Sequence, residues 1–348
     1  MSDNFFLPAE WYPQSAIMMA WPHENTDWAY ILDEVQQCFK NIARVIVQHK
    51  EMLIVLAPDI EKAKSQLHDL DQKYIRFQEI NTNDTWARDT CAITTIDNGI
   101  PVINDFKFNG WGLKFAANFD NLLTFELFYK NSLFSGVYKN HLNFVLEGGS
   151  IESDGNGLIL TTSECLLSKN RNGQSSKDEI EAYLKQAFGA KKMLWLDHGF
   201  LAGDDTDSHI DTLARLAPNN TILYVCTDDK TDLHYEALQA MKQQLRSFTT
   251  IEGNTFNLIE LPLPDAVFDE DGIRIPATYA NFLIGNGFVA VPVYNQPKKD
   301  QQALDLIQQA FPDYDVVGVD CNALIKQHGS LHCVTMQFPI NSINQQLI

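Results

Sequence analysis

Positive charge is scarce in this chain. Its 348 residues carry 26 lysines and arginines against 45 aspartates and glutamates, a formal net charge of −19. That argues against nucleic acid or an anionic membrane surface as a partner, since both are bound through clustered cations. Long apolar runs are missing too, and none approaches the ~20 residues of a membrane span. The opening Met1-Ser2-Asp3-Asn4 lacks the basic and apolar regions of a signal peptide. The six cysteines (Cys38, Cys91, Cys165, Cys226, Cys321, Cys333) form no C-x-x-C pair. Their scatter argues against a zinc ribbon or disulfide scaffold and for a reducing compartment. No Pro/Ser-rich linker or charge block divides the chain. The expectation is one cytoplasmic, soluble domain over residues 1–348.

What is present is an α/β grammar. Apolar runs at 17–21, 52–56, 192–196, 221–226 and 289–293 read as buried strands, and periodic stretches at 28–49, 176–188, 232–246 and 299–310 read as helices. Asp97-Asn98-Gly99 and Gly285-Asn286-Gly287 are hairpin signals. Units of strand, strand, helix, strand recur, without sequence identity between them. Residues 108–142 show no period and read as loop and short helices. Residues 144–153 and 331–338 read as strands.

Chemistry-bearing residues concentrate in four stretches. Gly203-Asp204-Asp205-Thr206-Asp207-Ser208-His209-Ile210-Asp211 packs four carboxylates and a histidine into nine residues. If extended, it points His209 and Asp211 to one face and Ile210 to the core. A solvated acidic loop or a metal site are the competing readings. Asp84-Thr85-Trp86-Ala87-Arg88-Asp89 could equally supply turn caps. Glu147-Gly148-Gly149 sets a carboxylate in an apolar strand, where burial demands a partner. In Leu331-His332-Cys333-Val334-Thr335-Met336-Gln337-Phe338, alternation places Cys333 on the more polar face, which suits a nucleophile better than a packing cysteine. One cysteine, one histidine and several carboxylates suit chemistry on a guanidinium, a permanent planar cation.

In this order, Trp86-Ala87-Arg88-Asp89, Glu147-Gly148-Gly149, His209-Ile210-Asp211 and His332-Cys333 resemble the guanidine-modifying pentein superfamily. The resemblance is nearest its agmatine deiminase and bacterial peptidylarginine-deiminase-like branch. It extends over nearly the whole chain through Pro8-Ala9-Glu10-Trp11, Trp21-Pro22, Thr162-Ser163-Glu164-Cys165-Leu166-Leu167 and Asn170-Arg171-Asn172. It implies a five-bladed α/β propeller of ββαβ-type units with pseudo-five-fold symmetry. It also implies hydrolysis of agmatine to N-carbamoylputrescine and ammonia, a step of putrescine (polyamine) biosynthesis, with no cofactor and no metal.

Carried over by that resemblance, Cys333 is the nucleophile and His209 the general acid/base. Asp89 and Asp211 bind the guanidinium, and Glu147 holds the histidine and keeps it protonated. Trp86 and Arg88 shape the pocket, Asp207 is a candidate for a distal ammonium, and a homodimer is the implied assembly. One departure from the agmatine deiminase pattern is His328-Gly329-Ser330-Leu331-His332, where those enzymes often carry a Gly-rich run. It bears on the substrate's tail. The alternatives are deimination of free or peptidyl arginine, amidino transfer to an amine, and a non-catalytic binding protein. A metallohydrolase using Asp204, Asp205, Asp207 and His209 is a further one.

Overall fold

The computed structural model describes residues 4–347. Five sheets repeat one pattern: a first strand pairs antiparallel with a second, which pairs parallel with a third reached through a helix. In the second unit along the chain, Ile93–Asp97 pairs antiparallel with Ile100–Lys107, which pairs parallel with Val137–Val145. The helix Leu123–Tyr129 makes that crossover, and Phe5–Phe6 is added at the sheet edge. The next units are Ile151–Ser153, Leu158–Thr162 and Lys192–Leu196 with helix Lys177–Phe188, then Ala214–Ala217, Thr221–Cys226 and Asn257–Pro262 with helix Tyr235–Ser247. Leu283–Gly285, Phe288–Val293 and Asp315–Asp320 follow with helix Pro297–Ala310.

The remaining unit joins the two ends of the chain. Met336–Pro339 pairs antiparallel with Gln14–Ala20, which pairs parallel with Leu53–Ala57 across helix Leu32–Gln48, and Ile75–Glu79 extends the sheet. Residues just before a C-terminal strand are thereby packed beside the first hundred. The helices are amphipathic. Leu32–Gln48 buries Val35, Phe39, Ile42, Ala43 and Ile46 at helical spacing, and each large apolar side chain so buried contributes about 1.5–3 kcal/mol. Ser176 caps Lys177–Phe188 through a reciprocal box with Glu179, and Gly189 ends it in the left-handed region.

Four readings from sequence need correction. Residues 137–145 form a strand, hidden in the sequence because Lys139, Asn140 and Asn143 interrupt its apolar face. Residues 144–153 are not continuous strand: a tight helical turn at Gly148–Ser150 divides them, and Glu147 precedes it. His209 is the last extended residue before a helical turn, Ile210–Leu213. The final strand begins only at Met336, so Cys333 lies in a turn and its face was not set by strand alternation.

Candidate active site

The first strand of each unit is entered through a short turn, and the polar residues of interest sit in or beside these turns. Ala87–Thr90 precedes Ile93–Asp97, Gly148–Ser150 precedes Ile151–Ser153, and Ile210–Leu213 precedes Ala214–Ala217. Residues 278–282 lead into Leu283–Gly285 and residues 331–335 into Met336–Pro339. The topological repeat therefore gathers Asp89, Gly149, His209, Asp211, Asn281 and Cys333 from positions spread over some 245 residues (333 − 89 = 244).

Cys333 Sγ lies 3.3 Å from Asn281 Oδ1 and 3.9 Å from Asp211 Oδ2. The same Asn281 oxygen accepts from the amides of His332 and Cys333 (2.9 and 3.3 Å), and Asn281 Nδ2 donates to the Asp211 carbonyl (3.3 Å). Burial, then Asp211 and Asp89, push the Cys333 thiol well above its usual range, which favours the protonated thiol. Asp211 Oδ2 accepts from His332 Nδ1 at 2.7 Å, while its Oδ1 is buried without a partner among the described residues. Burial alone would raise the Asp211 pKa, but the His332 donor and neighbouring positive charge outweigh it and hold it below the usual range.

Asp89 Oδ1 accepts from the Gly149 amide (2.8 Å) and Oδ2 from Trp111 Nε1 (2.9 Å). Burial, then repulsion from Asp211, push its pKa up to about 8. His209 Nδ1 is 3.7 Å from Asp89 Oδ1, and its Nε2 is buried without a partner. Burial pulls the His209 pKa down to about 3, against the pull of Asp211. Gly149 is needed here by contact, because a Cβ on it would lie 2.7 Å from His209 Nδ1, 2.9 Å from Asp89 Oδ1 and 3.0 Å from Asp211 Oδ2.

Above these groups opens a cavity of about 400 Å³, counted to its mouth. Cys333, Asp89, Trp86, Trp111 and Phe115 line it together with Asp27, Asp84, Asp205 and His328, whereas His209 and Asp211 lie behind this lining. Among the described residues, no lysine or arginine lines it. Burial, then Asp120, push Asp84 up to about 7, and burial, then Asp204, push Asp205 up to about 6. Gly329 admits the Trp86 ring, which a Cβ there would meet at 2.1 Å. Trp111 stands on four successive residues of positive φ (Gly110 68°, Trp111 53°, Gly112 83°, Leu113 69°). That conformation costs a non-glycine residue about 1–2 kcal/mol, and Trp111 offsets it through the bond to Asp89.

Three expectations for individual residues fail. Glu147 does not hold His209: Arg171 Nε donates to both of its oxygens (2.9 and 3.0 Å). Burial raises the Glu147 carboxyl above its usual range against the pull of Arg171, and Arg171, not His209, is its hydrogen-bond partner. Arg88 does not reach the cavity, since its Nη1 pairs with Glu10 Oε1 at 3.0 Å on the far side of the turn. Asp207 is closed off by Lys114 (2.7 Å) and Arg171. Trp86 does line the cavity. Asn281, Trp111, His332, Arg171 and Glu10 are parts of the site that residue-type reasoning passed over. Glu10 and Arg171 lie within motifs noted above, and Asn281 had one available signal, its place before a hairpin strand.

Two clusters offer metal-ligand atoms within 4.8 Å of one another, Glu147 with Cys165 and His209, and Glu10 with Glu152 and His332. Each already contains a guanidinium, Arg171 in the first and Arg215 in the second. The Asp-rich stretch does not converge either: Asp204 is engaged with Thr206 and the Ser208 amide, and Asp207 with Lys114 and Arg171. What the site can accept is a planar cation. It offers an unpartnered carboxylate oxygen, a second carboxylate and a sulfur at the foot of an aromatic slot with acidic groups around it.

Known proteins match this chain over nearly its whole length. A family model of Porphyromonas-type peptidyl-arginine deiminases matches residues 6–339. An agmatine deiminase from Ectopseudomonas mendocina is 32% identical over 366 aligned residues, covering 97% of this chain and 96% of its own. A cysteine-to-serine variant of C. jejuni agmatine deiminase, solved with substrate bound, is 38% identical over 96% of each chain with a TM-score of 0.89. A solved chain from Porphyromonas gingivalis reaches 48% identity and a TM-score of 0.93 over 98% of this chain and 100% of its own. By the extent of these matches, the chain belongs to the Porphyromonas-type peptidyl-arginine deiminase family, together with relatives that are agmatine deiminases.

Proposed function

We propose that this protein is an agmatine deiminase, converting agmatine and water to N-carbamoylputrescine and ammonia, a step toward putrescine. The observation that carries this reading is the cavity's charge. In this reading the guanidinium lies beside Asp89 and Cys333, with Asp211 3.9 Å behind the sulfur, and the tetramethylene chain runs along Trp86, Trp111 and Phe115. The distal ammonium then meets Asp27, Asp84 and Asp205. The α-carboxylate of arginine would face those acids with no lysine or arginine on the wall to receive it. Asp205 replaces Asp207 as the candidate for the ammonium, and the recurrence of five like sheets supports closure into a five-bladed propeller.

The substrate supplies the positive charge that these carboxylates call for. Carboxylates raised by burial become favourable anions once a cation sits between them. The Cys333 sulfur attacks the guanidinium carbon, forming a C–S bond. The C–N bond to one terminal nitrogen breaks, and that nitrogen leaves as ammonia carrying the thiol's proton. A cationic amidino-cysteine remains. Water adds to its carbon, the C–S bond breaks, and the products are the ureido compound, the regenerated thiol and one proton, taken up by ammonia. His209 is the candidate proton carrier, because it is neutral and its Nε2 is free. Asn281 holds the thiol until the cation arrives.

The test is ammonia and ureido product from agmatine, free arginine and a blocked arginine peptide, measured with Cys333→Ala alongside. Turnover of agmatine, lost in the variant, is expected. Preference for either arginine substrate would overturn the substrate assignment, and full activity of Cys333→Ala would overturn the mechanism.

A further inference from the structure

Each ring nitrogen of His332 meets a carboxylate. Nδ1 lies 2.7 Å from Asp211 Oδ2 and Nε2 lies 2.7 Å from Glu10 Oε1, and the residue is wholly buried. Its amide is fixed by Asn281 at 2.9 Å. Glu10 is anchored in turn by Arg88 and Arg215, and Arg215 by Glu152 and the carbonyls of Ala280 and Phe282. The result is a buried chain from Glu152 through Arg215, Glu10 and His332 to Asp211. It ends on a carboxylate whose second oxygen, Oδ1, is buried and unpartnered.

We infer that His332 is a positioning residue for the guanidine reaction. Its Nδ1–H fixes Asp211 Oδ2 so that Oδ1 is presented to a guanidinium N–H, and on the opposite ring nitrogen Arg215 Nη2 (3.1 Å), itself paired with Glu10, keeps the imidazole from turning away. A carboxylate has a broad, two-fold torsion about Cβ–Cγ, whereas a fork of guanidinium donors rewards one plane. Holding that plane before substrate arrives removes an ordering cost from binding and attack. The inference rests on Asp211 binding the guanidinium, as proposed above.

Two amide substitutions separate the two ends of the ring. His332→Asn keeps a donor at the Nδ1 position and gives up the Glu10 contact, while His332→Gln keeps the Nε2 position and gives up Asp211. Turnover of agmatine is measured with the relative rates at which Cys333 is alkylated by chloroacetamidine, a cation, and by neutral iodoacetamide. His332→Gln is expected to lose about 10- to 100-fold in kcat/KM and to lower the amidine-to-amide labelling ratio in step. His332→Asn should lose several-fold less than His332→Gln on both measures, since its Asp211 donor is retained.

Equal losses in the two variants, or an unchanged labelling ratio in His332→Gln, would overturn the inference. Should either variant fail to fold, His332→Ala with and without added imidazole replaces it. Restoration of the labelling ratio by imidazole is then expected, and its absence would overturn the inference. The labelling ratio needs no turnover, so a parent protein inactive on agmatine would refute the substrate reading while this inference is still decided by the ratio.

Discussion

A single methyl group at position 149 should disable this site. Gly149 stands at the centre of three reacting or binding groups, and its Cβ would approach His209 Nδ1 to 2.7 Å, Asp89 Oδ1 to 2.9 Å and Asp211 Oδ2 to 3.0 Å. Ordinary contact begins at 3.4 Å, so relief requires displacements of about 0.7, 0.5 and 0.4 Å (3.4 less each distance). Neither carboxylate can yield freely, because Asp89 is held by Trp111 and by Gly149's own amide, and Asp211 by His332. Overpacking of this kind costs about 1–3 kcal/mol of stability, and misplacement by about 1 Å costs about 100-fold in rate. Gly149→Ala should therefore remain folded by circular dichroism, melt lower, and lose about 30- to 100-fold in kcat/KM for agmatine. A folded Gly149→Ala protein within about threefold of the parent would refute the placement of these groups around the substrate.

Other consequences follow from the same geometry. Asp205→Asn should raise the KM for agmatine about tenfold while leaving butylguanidine, which has no ammonium, unaffected; equal effects on both would remove Asp205 from ammonium recognition. Trp111→Phe removes the indole donor to Asp89, a bond worth about 1.5–3 kcal/mol once the guanidinium has made Asp89 an anion, and should cut kcat/KM by about tenfold or more in steady-state assays. For pH, Asp89 (about 8) and Asp84, Asp120, Glu51 and Glu152 (each about 7) retain protons in the fold. Their unfolded counterparts release them near pH 4. The folded state thus binds more protons between about pH 7 and 8.5, and stability must fall as pH rises through that window. Melting temperature should decline from pH 7 to 8.5, less steeply with saturating agmatine, and a rise without agmatine would contradict the buried, raised carboxylates.

Much of this was legible in the sequence, for physical reasons. Central strands such as Leu53–Ala57 and Thr221–Cys226 are buried at every residue and so read as apolar runs. Helices read through one-sided burial, as with Val35, Phe39, Ile42 and Ile46. The turns that carry the site did not read, because apolar neighbours run through them: Leu146 and Ile151 flank Glu147-Gly148-Gly149, and Leu331 and Val334 flank Cys333. Periodicity cannot register a three-residue turn inside such a run.

Partnership was the other hidden quantity. Glu147 looked free to hold a histidine, and only the fold brings Arg171 to it. Asp205 and Asp207 are alike in sequence, yet Lys114 and Arg171 close one while the other lines the cavity. Asn281 and His332 acquire meaning from contacts 52 and 121 positions away along the chain.

The central claim is covalent chemistry at Cys333, and trapping the intermediate tests it most directly. Agmatine turnover quenched in acid within the first turnovers, followed by peptide mass analysis, should find Cys333 carrying a mass equal to agmatine less ammonia. The adduct should be absent from Cys333→Ala and from the buried Cys165 beside His209. Ureido product formed without any adduct on Cys333, or an adduct on another cysteine, would contradict the account.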